Sequence, residues 1–175
     1  SPQISSGNTD MFLLKINSNG EIIWQKAYGN RSFPNHEWGN DLIETSDGEF
    51  IIVGTRDRYN KGSLNGLVIR IDGLGNLIWE KEFESENQVS ESIFSISKSV
   101  DNNFYLCSSI NSIDKPKLFQ PKVMKMDAMG NIGWARTINS NSREYHQFRA
   151  SSTILGDVLI VGSSTALLPS GHREH

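Results

Sequence analysis

The sequence is short of the features that announce chemistry. Cys107 is its only cysteine, so no disulfide can form within the chain and the redox compartment stays open. Set in the apolar stretch FYLCSS, it reads as a small buried hydrophobe, not as a nucleophile. No apolar run approaches the roughly 18 residues that a membrane-crossing helix needs. The net charge of −3 gives no general attraction to nucleic acid or anionic membrane. No G-x-S-x-G elbow, H-E-x-x-H pair or G-x-x-x-x-G-K-[ST] loop occurs, which removes the commonest sequence signals of hydrolases and nucleotide-binding proteins. The histidines (His36, His146, His172, His175) show no i, i+4 pairing and have no cysteine partner, so zinc chemistry is not expected. The Asx-Gly turns lack the EF-hand spacing and read as turn formers. The G-N dipeptides precede no helix and make no phosphate cradle. No catalytic residue, metal or cofactor is therefore assigned. The N-terminal SPQISSGNTD has neither a basic nor an apolar signal region and reads as a cut end or a mature start.

What the sequence does have is repetition. DMFLLKINSNGEIIWQKAYG from Asp10 returns as NGLVIRIDGLGNLIWEKEFE from Asn65 and as QPKVMKMDAMGNIGWARTIN from Gln120. Lys15, Arg70 and Lys125 fall 55 residues apart, as do Gly20, Gly75, Gly130 and Trp24, Trp79, Trp134. Residues 1–175 thus form one repeat region, with units at about 10–64, 65–119 and 120–175, each of which must bury its apolar faces against its neighbours.

Each unit divides into four short segments. The apolar run Asp10–Asn17 is too short for a globular helix and suits a strand buried on both faces. Asn17–Gly20, Asp72–Gly75 and Asp127–Gly130 supply tight turns. The next strand carries Trp24 and Lys26, Trp79 and Lys81, or Trp134 and Arg136. A cation at that place suggests an outer edge guarded by charge, and the Trp a packing anchor with its N–H near a polar partner. A more polar strand follows (Trp38–Thr45, Ser92–Lys98, His146–Thr153), then a hairpin and an apolar strand beginning at Phe50, Phe104 or Val158. Asp47-Gly48 is the strongest of the three hairpin signals and Leu155-Gly156-Asp157 the weakest.

Four short antiparallel strands per unit of about 50 residues make the blade of a β-propeller. The sequence resembles the bacterial propeller repeats of the form D-x-(apolar)-K-(apolar)-D-x-x-G-N-(apolar)-W, followed by a DG-(aromatic)-(apolar)-G hairpin. The resemblance runs from Asp10 to Gly162. It departs where Asn65 and Gln120 replace the first Asp and where Leu155-Gly156 replaces Asp-Gly. The resemblance implies an all-β fold, a polar strand innermost by a channel, the Trp strand outermost, and an extracellular or cell-surface location.

If the polar strand opens each blade, the chain holds the outer two strands of one blade, two whole blades, and the inner two strands of another. About three blade equivalents are too few to close a ring. Either the chain is a piece of a longer propeller of six to eight blades, or two copies join as halves of a six-bladed ring. Termini that fall at arbitrary points favour the longer parent.

Hairpin topology sends the tight turns to one face and the long connections to the other: Asn30–Glu37, Thr55–Leu64, Glu84–Ser90, Asn111–Gln120, Asn139–Tyr145 and Ser164–His175. Function tends to live on such loops. The expected function is a non-enzymatic binding or display scaffold, its protein or glycan ligand docking on the long-loop face through Trp38, Arg58, Tyr59, Tyr145 and His146. Two alternatives stay open: part of a carbohydrate-active propeller enzyme, and a purely structural spacer. Glu37 and Glu91 occupy equivalent repeat positions, which marks them as a structural feature of the repeat before an acid/base pair.

Overall fold

The computed structural model describes residues 9–29, 35–57, 64–83, 90–112, 115–138 and 143–166, with side chains apart from those of residues 112, 115–118, 143–147 and 166. Every regular element among the described residues is a strand. In chain order they are β1 (Met11–Ile16), β2 (Ile22–Tyr28), β3 (His36–Glu44), β4 (Phe50–Asp57), β5 (Leu64–Ile71) and β6 (Leu77–Phe83). The second half continues with β7 (Ser90–Lys98), β8 (Phe104–Ser112), β9 (Lys115–Met126), β10 (Ile132–Thr137), β11 (Arg143–Ser152) and β12 (Val158–Ala166). They form four antiparallel sheets: β1-β2, β3-β4-β5-β6, β7-β8-β9-β10 and β11-β12. This division into two, four, four and two strands is the one the phase of the repeat predicts.

The repeated turns share one local chemistry. The Oδ1 of Asn17 accepts the N–H groups of Asn19 and Glu21 at 3.0 and 2.9 Å. Asp72 does the same for Leu74 and Asn76, and Asp127 for Met129 and Asn131. Gly20, Gly75 and Gly130 then take φ of +83, +76 and +80°, where a Cβ would be strained. The hairpins between the inner strands hold too, the Leu155-Gly156 copy included. Thr153 N–H reaches the Asp157 carbonyl at 2.8 Å, as Thr45 N–H reaches Glu49 at 2.9 Å. Asn102 fills the positive-φ position in the middle copy at +62°, a conformation its short polar side chain tolerates.

The sheets stack face to face through three apolar layers. Met11 and Leu13 of β1 pack on Ile52, Leu67, Ile69 and Ile71. The opposite face of that second sheet, through Ile51, Val53 and Val68, packs on Ile93, Ile96, Phe104, Leu106, Met124 and Met126 of the third. Cys107 and Val123 then meet Phe148 of β11. Successive strand residues point to opposite faces, so Ile51–Val53 of β4, Leu67–Ile69 of β5 and Phe104–Cys107 of β8 are buried and apolar at consecutive positions because both faces are covered there.

Three expectations need correction. First, β1 is not buried on both faces. Phe12 is 61% exposed while its counterpart Leu67 is 1% exposed, and Leu14 and Ile16 are exposed like Phe12; a sheet covers only one side of β1. Second, Asn111–Gln120 is not a long connection. β8 and β9 run on until Ser112 pairs with Lys115, which puts Lys115, Pro116, Lys117 and Phe119 in a strand. Among the described residues β10 pairs only with residues 122–126 of β9, so Pro116 stands in a stretch of β9 that β10 does not cover, where a proline is tolerated. Third, several residues assigned to loops belong to strands: His36 and Glu37 in β3, Arg56 and Asp57 in β4, and Arg143–Tyr145 in β11.

Candidate functional site

The tight hairpins and the other connections leave the sheets at opposite ends, and the candidate surface lies at the end away from the hairpins. Strand alternation sorts the first residues of β3. His36 and Trp38 point one way, and Glu37 points the other. Trp38 is 40% exposed and stacks on His36 with ring centroids 5.8 Å apart and planes inclined by 20°. His36 is held in turn by the Thr9 N–H, which donates to Nδ1 at 3.2 Å.

Beneath this pair Glu37 enters a charged network inside the protein. Glu37 and Arg56 are both buried, with Arg56 Nε donating to Glu37 Oε1 at 2.8 Å. Arg56 Nη1 also reaches Glu80 Oε1 at 2.6 Å and Glu82 Oε2 at 3.1 Å, and Asn65 Nδ2 donates to Glu82 Oε1 at 2.5 Å. Burial opposes the guanidinium charge, but these carboxylates outweigh that and hold its pKa above the ordinary arginine value. The same repeat position in the third sheet is Glu91, also buried. It accepts the Ser108 hydroxyl at 2.6 Å and the Lys122 ammonium at 2.8 Å. Each of the two repeated glutamates is thus engaged by a cation of its own sheet, which makes them structural posts beneath the surface.

The five residues expected to form the ligand surface fare differently. Trp38 is exposed on β3 as described. Arg58 and Tyr59 lie outside the described residues. Tyr145 and His146 belong to β11, opposite Ser164 and Ser163 in register, and their side chains lie outside the described residues. Trp38 pairs with Thr55 and Ser92 with Ser109 as His146 pairs with Ser163, so Trp38, Ser92 and His146 share one repeat position on three different sheets. The Arg56 network was missed by sequence reasoning. Its signal was there: an acid repeated at Glu37 and Glu91 inside strands calls for a cation on a neighbouring strand.

Among the described residues no cluster of His, Cys, Asp and Glu could hold a metal ion, and no helix is long and apolar enough to cross a membrane. Comparison with known proteins matches no protein-family model and no curated protein.

Proposed function

We propose that this chain is a β-propeller-type repeat scaffold, displayed outside the cell, that binds a protein or glycan without transforming it. The observation that carries the reading is the exposed His36–Trp38 stack mounted on a strand whose intervening residue is anchored in the Arg56 network. A large aromatic surface held in place by buried ion pairs loses little conformational entropy when a ligand covers it. A flat, partly exposed indole suits both the apolar face of a sugar ring and the aromatic anchor of a protein interface. Arg58, Tyr59, Tyr145 and His146 remain the other residues proposed to take part in binding. The four-stranded sheets, their tight hairpins at one end and their stacking order support the propeller reading. The extracellular location rests on the repeat resemblance alone.

The test is an oligosaccharide and peptide array probed with the chain and with Trp38→Ala. A hit that weakens about tenfold or more in the variant, at unchanged melting temperature, upholds the reading. An array without hits, or hits indifferent to Trp38→Ala, overturns it.

A further inference from the structure

The two ends of the sheet stack carry complementary halves of a contact that the chain makes twice internally. Lys26 Nζ donates to Asn76 Oδ1 of the next sheet's turn at 2.9 Å. One repeat later, Lys81 Nζ donates to Asn131 Oδ1 at 3.0 Å. The third cation is Arg136, which among the described residues bonds only the adjacent Ala135 carbonyl. The turn position equivalent to Asn76 and Asn131 is Glu21 at the other end of the chain. Where lysine becomes arginine, the neutral amide becomes a carboxylate. The strand edges match as well. Among the described residues β1 pairs only with β2, and β12 only with β11, whereas their counterparts pair with each other as β4-β5 and β8-β9.

We infer that β1-β2 of a second copy completes the β11-β12 sheet of the first, and the reverse at the other joint, giving a closed two-fold ring of six four-stranded sheets. This rests on the propeller reading for ring closure, but the joint itself follows from the internal junctions. Transferring the β4-β5 and β8-β9 registers sets Leu159 opposite the partner copy's residue 15 and Val161 opposite its residue 13. One docking covers both exposed apolar sets. Leu159 is 68% exposed where its counterpart Tyr105 is 4% exposed, and Val161, Phe12, Leu14 and Ile16 are exposed where Cys107, Leu67, Ile69 and Ile71 are buried. It also fills the two grooves at the free edges. One, of about 200 Å³, is lined by Phe12, Leu14, Trp24, Leu42 and Phe50. The other, of about 220 Å³, is lined by Pro121, Ile138, Phe148 and Ile160. The same docking lays the Asn17–Glu21 turn beneath Trp134 and Arg136, as the Asp72–Asn76 turn lies beneath Trp24 and Lys26.

The experiment measures solution mass across a concentration series for the chain, Glu21→Arg, Arg136→Glu and an equimolar mixture of the two variants. The expected result is a discrete dimer, weakened at least tenfold in each variant by like charges at both joints and restored in the mixture, where both joints pair opposite charges. A chain carrying Lys15→Cys and Leu159→Cys should cross-link between copies under oxidation, while buried Cys107 stays reduced. A monomer at every concentration overturns the inference. So does a dimer that neither charge reversal weakens. Cross-linked growth into ever larger species upholds the strand joint and overturns the closed ring.

Discussion

The Arg70 guanidinium, and not the Trp79 indole, bonds the Ala128 carbonyl. In the first repeat Lys15 Nζ and Trp24 Nε1 both donate to the Gly73 carbonyl at 3.3 Å. In the second, Arg70 Nη1 donates to the equivalent Ala128 carbonyl at 2.6 Å, while it also holds Glu49 at 2.5 Å and Asp47 at 2.8 Å. Trp79 Nε1 is buried without an acceptor among the described residues. The two tryptophans occupy one repeat position and differ in this bond. Removing the N–H should therefore cost more at Trp24: Trp24→Phe is expected to lose about 1 kcal/mol more than Trp79→Phe, the net worth of one hydrogen bond. Urea unfolding of the two variants checks it, and equal losses would mean the Trp24 bond adds nothing.

That pair also marks what the sequence could and could not show. The 55-residue spacing made the strands, the hairpins and the two-four-four-two division legible, because turn chemistry is local and apolar runs bounded by turns mark strands, although in β1 the run overstated burial. The role of the strand cations was not. Lys26 and Lys81 looked like guards on an outer edge, yet they bond the turn of the next sheet, a contact between residues 50 apart that no local pattern encodes. The polar expectation for a Trp N–H holds at Trp24 and fails among the described residues at Trp79, where the paired Arg70 holds the equivalent carbonyl alone. Residues at strand ends were misplaced for a related reason. Arg56 and Asp57 read as loop because they are charged, and only their pairing with Asn65 and Leu64 and the carboxylates around Arg56 show why a strand continues there. Of the candidate surface, Trp38 was legible as an aromatic beside a long connection, and its support by Glu37 and Arg56 was not.

Gly130 should tolerate substitution far less than its neighbour Gly133. A Cβ at Gly130 would sit at φ +80° and lie 2.7 Å from Lys81 Cδ and 3.1 Å from Trp79 Cη2, so backbone strain and the displaced side chains add together. At Gly133 the nearest contact would be the Lys125 carbonyl at 3.7 Å, with no positive φ. Gly130→Ala is expected to cost about 2–3 kcal/mol, and Gly133→Ala to be neutral or slightly stabilising. Thermal melts of both variants decide it.

Acid should weaken the fold through the turn aspartates. Hydrogen bonds from the Asn76 N–H to Asp72, from the Asn131 N–H to Asp127, and from the Lys125 ammonium to Asp101 hold all three carboxyls below the usual aspartate range. Folded pKa values below the unfolded value of about 3.9 mean that the stabilisation is complete above that pH and is lost as pH falls through the folded values. The melting temperature should be level from neutrality to about pH 5 and drop steadily below about pH 4. Asp127→Asn keeps the Oδ1 acceptor, as Asn17 does in the first turn, and should reduce the slope on the acid side. A slope unchanged in that variant would place the acid sensitivity elsewhere.

Cys107 should report unfolding and nothing earlier. It is buried between Ser95 of β7 and Val123 of β9, and burial pushes its thiol up to about 11. Attack on a disulfide reagent needs both the thiolate and access, and the folded protein withholds each. At neutral pH, labelling should proceed only at the rate of global or local opening and should accelerate through the urea transition. Fast stoichiometric labelling of the native chain would contradict the burial.

The two repeated glutamates allow a comparison within one molecule of what a buried charge requires. Arg56 is almost fully enclosed and binds Glu37, Glu80 and Glu82, so Arg56→Ala takes the guanidinium from the buried Glu37 carboxylate and removes a cation shared by three acids. Breaking such a buried pair from one side costs about 3–5 kcal/mol. Lys122 is more exposed, and Glu91 keeps the Ser108 hydroxyl when the lysine is removed. Lys122→Ala should therefore cost clearly less than Arg56→Ala. Replacing Glu37 together with Arg56, by Gln and Met, should recover part of the loss because the most deeply buried of the three carboxylates is then removed with the cation. Chemical denaturation of the two single variants and the double variant measures all three quantities. If Arg56→Ala cost little, the Arg56 network would be dispensable, and the rigid support assigned to Trp38 would go with it.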